Sequence, residues 1–208
     1  SYSGATTVSA GTLELADADD AAAGSTASIS VASGATLLVS QSNQVNNSAA
    51  ISLSGGTITR GTGVSETFGA LTVSGSSTLD FGSGTSGSLA FGTYTPSSLL
   101  TLNSFFGGNV LTFNSDLTGS IAVGTYNSTS YLSGDGLFQV NSISGGFTTA
   151  YNGSSFTITA IPEPSTYLAA AGLLSLMLWP SRKRIVKDAK KILGLRAPMR
   201  DRLAAKRA

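Results

Sequence analysis

The sequence predicts an all-β chain: a right-handed parallel β-helix or β-solenoid-like repeat body. One C-terminal transmembrane helix and a basic amphipathic helix follow it. Three observations carry the prediction. Short apolar alternations recur about every 22 residues through the first part of the chain. Gly, Ser, Asn and Thr separate them. A short apolar stretch and a basic block close the C-terminal end.

The repeat is visible in four segments, VSAGTL (8–13), VASGATL (31–37), LSGGTI (53–58) and VSGSSTL (73–79). Each opens on Val8, Val31, Leu53 or Val73. A small residue follows three positions later, and an apolar residue returns at Leu13, Leu37, Ile58 or Leu79. Successive openings are 23, 22 and 20 residues apart. A period of this length marks units that bury their faces only against their neighbours. Alternation such as Ile29/Val31 and Ile51/Leu53 sends one set of side chains inward. Gly11, Gly34, Gly56 and Ser76 suit the corners, where positive φ or tight packing is needed. An ordinary β-sandwich with regular strand spacing is the competing architecture.

Residues 1–84 are therefore predicted as solenoid repeats. Ser1 opens in mid-pattern without an initiator Met or a leader, which is read here as a fragment or processed form lacking its N-terminus. Residues 85–160 are predicted as an atypical terminal β-region or cap. There GSLAFGTYT (87–95) is echoed by GSIAVGTYN (119–127) at a spacing of 32, and Phe81, Phe91, Tyr94, Phe105, Phe106 and Phe113 crowd the segment. Terminal units of repeat proteins are atypical; a separate small β-domain is the alternative.

Charge divides the chain. Of its 208 residues only 11% are charged, and the net charge is +1. Before Ser181 there are nine acidic residues and one basic residue, Arg60, a balance of −8; from Ser181 onward eleven basic and two acidic residues give +9. An acidic body and a basic tail suit two environments. There is no Cys and no His. That excludes disulfides, thiolate metal sites and His-assisted Ser catalysis.

No set of residues in the body predicts catalysis. Asp17, Asp19 and Asp20 could serve Ca²⁺, but they lack the Gly-spaced ligand pattern of Ca²⁺ loops, and a solvated loop is the simpler reading. Asp80, Asp116, Asp135 and Glu66 are isolated in sequence. Distant rungs could pair two carboxylates across a glycosidic bond, yet the body offers only Arg60 as a basic partner. The Thr57–Ile58–Thr59 triplet is one row, too little for an ice-binding face. Catalytic residues, metal ligands and cofactors are all predicted absent.

From Ile161 the character changes. Pro162, Glu163 and Pro164 make an extended spacer. Residues 165–180 are predicted to form an apolar helix of about 24 Å, short of a hydrocarbon core of about 30 Å. Arg182, Lys183 and Arg184 follow and can snorkel to the headgroups. The basic side is predicted cytoplasmic and the β-body on the other side of the membrane. In 185–208, Ile185, Val186, Ala189, Ile192 and Leu193 fall on one helical face. A basic amphipathic helix beside a span reads as lying on anionic headgroups. The tail has no aromatic residue for base stacking, so nucleic acid is not predicted as a partner.

The Pro-Glu-Pro motif at Pro162, Glu163 and Pro164, the short apolar helix and the basic cluster together resemble the PEP-CTERM sorting signal over residues 161–184. The small-residue strands TTVSAGTLEL (6–15) and GSTASISVASGATLLV (24–39) resemble autotransporter-associated β-strand repeats. The resemblance implies a Gram-negative, exported protein that is anchored in the inner membrane before processing. It implies an exosortase as partner, cleavage near Pro162–Pro164, and final placement at the cell surface or in the extracellular matrix. The family signal usually ends just after its basic cluster, whereas 24 residues follow here. The expected role is a structural or adhesive surface protein, with exopolysaccharide or biofilm matrix as partner. The alternative is a β-helical protein that binds or cleaves polysaccharide and whose active part is expected outside this fragment.

Overall fold

A computed structural model describes residues 3–18, 22–84, 86–127, 130–141 and 145–162. Among them there is no helix, and 18 strands build a β-solenoid of about five turns. The first two turns carry two strands each: β1 (Ala5–Val8) with β2 (Thr12–Leu15), then β3 (Ser28–Ala32) with β4 (Thr36–Val39). The next three turns carry three: β5 (Ala50–Ser54), β6 (Thr57–Arg60) and β7 (Ser65–Thr67); β8 (Leu71–Gly75), β9 (Ser77–Asp80) and β10 (Gly87–Phe91); β11 (Tyr94–Pro96), β12 (Leu100–Asn103) and β13 (Asn109–Phe113). Like strands of successive turns stack in parallel, so β1-β3-β5-β8-β11 form a first sheet and β2-β4-β6-β9-β12 most of a second.

The register follows the sequence repeat. Val8, Val31, Leu53 and Val73 are successive pairing partners in the first sheet. Leu13, Leu37, Ile58 and Leu79 are partners in the second, and the column continues through Leu102 to Val140. Every member of that second column except half-buried Leu13 is completely buried. The β-branched and Leu residues thus form continuous apolar columns, and the intervening Ser and Thr point outward. Gly11 and Gly34 turn the first two corners with φ of 69° and 74°. At the third corner the positive φ moves to Gly55, and Gly56 is needed for another reason: a Cβ there would strike the Val31 side chain and backbone.

Parallel stacking continues past residue 84. Gly87 pairs with Asn109 and Phe91 with Phe113, a spacing of 22 residues. The echoed segments 87–95 and 119–127 do not stack on each other. GSLAF is the interior strand β10, whereas the later copy contributes only the edge strand β14 (Gly124–Tyr126). The 32-residue echo is therefore a likeness of sequence without structural equivalence, because the ladder keeps the shorter step.

After Phe113 the direction changes. β15 (Ser130–Leu132) pairs antiparallel with β16 (Phe138–Asn141), which closes the second sheet against β12. β17 (Phe147–Tyr151) and β18 (Phe156–Ala160) form a hairpin, and β18 inserts between β17 and β13. The third sheet accordingly reads β14-β17-β18-β13-β10-β7. Aromatic rings fill this end: Phe68, Phe91 and Phe113 stack in sequence, Tyr94 lies on Phe113 at 4.6 Å, and Phe147 packs between Tyr126 and Tyr131.

If the columns hold the turns together, Leu53→Ala should lower unfolding stability by about 2–5 kcal/mol. The outward Ser52→Ala should change it by less than about 0.5 kcal/mol. Urea denaturation followed by circular dichroism measures both, and equal effects would contradict the assigned faces.

Candidate functional site

The strongest convergence of polar groups lies inside the body, at Arg60. This residue ends β6 in the column Leu15–Val39–Arg60, a position that apolar side chains hold in the earlier turns. It is 1% exposed. Its Nη1 donates to the carbonyls of Gly61, Val64 and Ser86, and Nη2 to the Phe81 carbonyl and, at 2.5 Å, to Asn109 Oδ1. Asn109 in turn donates from Nδ2 to the Gly84 carbonyl at 3.0 Å. The guanidinium lies 5.2 Å from the Phe81 ring centroid, and Nε is buried without a hydrogen-bond partner. Burial pushes the guanidinium pKa down from its ordinary value.

The geometry explains the placement. The five acceptors belong to the corners that lead from the second sheet into the third in three successive turns. Arg60 therefore ties together the starts of β7, β10 and β13. A planar fork with five N–H donors suits this task, because it can satisfy several inward-pointing carbonyls at once. Gly87 makes room for it: at φ of 125°, a Cβ there would collide with Arg60 Nη1 and the Val64 carbonyl. The sequence alone marked Arg60 only as the lone basic residue of the body.

Two further buried polar residues organise the side where the first turns lack a strand. Gln44 exchanges two hydrogen bonds with Asp17, through Oε1 from the backbone N–H at 2.8 Å and from Nε2 to the carbonyl at 2.9 Å. The side-chain amide stands in for a strand. Glu66, 2% exposed, accepts from the Gln44 and Val45 N–H groups.

Glu14 accepts from the Ser40 hydroxyl of the next turn at 2.6 Å, and Asp80, Asp116 and Asp135 each close a local turn. Asp80 accepts from Gly82 N–H, and Asp116 from the N–H and hydroxyl of Thr118. Asp135 accepts from the Ser133 hydroxyl and Leu137 N–H. Hydrogen bonds, from Thr118 to Asp116 and from Ser120, Ser133 and Leu137 to Asp135, hold both carboxyls below the usual carboxylate range. Neither is poised as a general acid near neutral pH. Burial, then the nearby Asp135 charge, pushes the Tyr94 hydroxyl up; Tyr131 is pushed up to about 12 by burial, with Tyr126 and Asp135 adding to it. Neither phenol supplies a phenolate nucleophile. Among the described residues no three acidic side chains gather as a metal site. Asp19 and Asp20 lie outside the described residues.

The outer surface is ordered but chemically plain. Thr12, Thr36, Thr57, Thr78 and Thr101 are successive partners on the outward face of the second sheet. The neighbouring outward column reads Glu14, Leu38, Thr59, Asp80 and Asn103, so the regular row is single. The only Lys or Arg among the described residues is the buried Arg60. That surface therefore has no basic side chain for a carboxylated or sulfated polymer.

Of the predicted sorting motif, Pro162 is described. It is half-buried and follows directly on Ile161, whose N–H donates to the Gly146 carbonyl at 2.9 Å. Glu163, Pro164, the apolar stretch 165–180, Arg182, Lys183, Arg184 and the tail 185–208 lie outside the described residues. Among those described, no helix is long and apolar enough to cross a membrane. No protein-family model, curated protein or solved structure matches the chain.

Arg60→Met should destabilise the body by about 3 kcal/mol or more, since several buried oxygens each lose a donor at about 1–3 kcal/mol apiece. Gly87→Ala should act in the same direction. Chemical denaturation reads both; a neutral Arg60→Met would show that the corners do not depend on the guanidinium.

Proposed function

We propose that this chain belongs to an exported cell-envelope protein whose solenoid is a structural or adhesive element, sorted through the C-terminal segment. The single observation that carries the structural role is how the polar groups of the body are used. Arg60, Gln44 and Glu66 are spent on holding turns together, and Asp80, Asp116 and Asp135 on closing local turns. An active site needs convergent groups with protonation states matched to a reaction. A stack of turns supplies reach and a long hydroxyl-rich surface without one.

The sorting part of the proposal rests on the order of parts in residues 161–184: the Pro-Glu-Pro motif, an apolar stretch and the basic cluster. In this reading an exosortase recognises Pro162, Glu163 and Pro164. The apolar stretch anchors the chain in the inner membrane, with Arg182, Lys183 and Arg184 on the cytoplasmic side. The body then reaches the surface or the matrix. The partner class that suits a surface lacking exposed basic side chains is a neutral, polyhydroxylated polymer of the exopolysaccharide kind.

Two outcomes are expected. Replacing Pro162, Glu163 and Pro164 by Ala should leave full-length protein in the membrane fraction. Surface protein that carries an intact Ala208 end by mass spectrometry would contradict sorting and leave a permanent anchor. The full chain in detergent should retain neutral surface polysaccharide without shortening it. Chain shortening that disappears in Asp80→Asn, Asp116→Asn or Asp135→Asn would replace the structural reading with an enzymatic one.

A further inference from the structure

β18 is the last strand of the described body, yet it is an interior strand. It pairs with β13 from Phe156 to Thr159 on one side and with β17 from Phe156 to Ala160 on the other. Phe156, Ile158 and Ala160 are completely buried. The pairing runs one residue further through the Ile161 N–H to the Gly146 carbonyl. Pro162 then ends the ladder, because it has no N–H to donate. No slack separates the folded sheet from the predicted motif.

A protease or transpeptidase takes its substrate as extended chain with free backbone on both sides of the scissile bond, as strand-addition recognition requires. β18 can offer such chain only by leaving both neighbours at once. That exposes Phe156 and Ile158 and breaks two ladders. An edge strand such as β14 would peel away against one ladder only.

We propose that the cap sets where the tail can be cut: every bond from β18 through Ile161–Pro162 is closed to a processing enzyme, and scission falls on the C-terminal side of Pro162. The proposal rests on the reading of residues 162–164 as a sorting motif for its biological meaning, though not for its geometry. In the step, one amide C–N bond beyond Pro162 breaks. Its carbonyl carbon takes the oxygen of water or the nitrogen of an amine acceptor, and the tail leaves with a new amino terminus. The released body keeps β18 whole.

The test is digestion of the full chain in detergent with proteinase K, with the resistant fragment weighed by mass spectrometry. The expected fragment ends at or beyond Pro162. One that contains β1 to β13 but ends at or before Ile161 would overturn the proposal. Pro162→Ala separates the sheet from the proline ring as the cause: the boundary should stay in place, and a boundary that moves into β18 would overturn the proposal. Ile158→Ala loosens β18, so its boundary should move toward the N-terminus; if that variant fails to fold, Pro162→Ala still decides. In exporting cells, surface protein ending before Pro162 would also count against it. Protein never cut in cells would refute the sorting reading, while the digestion boundary would stand on its own.

Discussion

Everything in this body depends on in-register parallel pairing between successive turns. A strand has a side-chain period of two, so a slip of one residue would turn each apolar column outward and each hydroxyl column inward. The columns Val8–Val31–Leu53–Val73 and Leu13–Leu37–Ile58–Leu79 hold because every turn returns to the same register despite different loop lengths. The variation between turns is absorbed where the glycine corners and the loops lie. One irregularity enters a ladder itself, between Leu53 and Ser54 beside Gly75.

The strand pattern changes at two places in the stack, and buried polar side chains occupy both. The first turns lack a third strand, and there Gln44 and Glu66 satisfy backbone groups that a ladder would otherwise pair. Further on the third sheet begins, and Arg60 gathers the carbonyls of its corners. A buried guanidinium is costly to desolvate. It is tolerated here because almost every donor finds an oxygen and the Phe81 ring lies beside the charge. These residues are chemically capable groups turned to architecture.

The repeat was legible because it depends on local pattern. The four opening residues and the four returning ones named from spacing are the residues that stack. The third sheet was less legible. Its first strand, Ser65–Thr67, is three residues long and centred on a glutamate, a pattern that looks like loop. Phe91 and Phe113 carried the true 22-residue step, but the resemblance between 87–95 and 119–127 pointed to a different spacing. The roles of Arg60, Gln44 and Glu66 were invisible because most of their partners are 21 to 49 residues away and are backbone atoms. Pro162 was singled out by motif; its position directly after an interior strand depends on β18 folding back between β13 and β17, which no local pattern announces.

The register itself can be measured directly, because the chain has no Cys. Thr36 and Thr57 are outward partners in adjacent turns, which places their Cα atoms about 4.8 Å apart, within the range a disulfide spans. The double variant Thr36→Cys/Thr57→Cys is expected to cross-link on mild oxidation with the fold retained. The pair Thr36→Cys/Thr59→Cys, shifted by two residues, is expected to remain reduced. Cross-linking of the shifted pair in place of the first would contradict the stacked register on which the whole account rests.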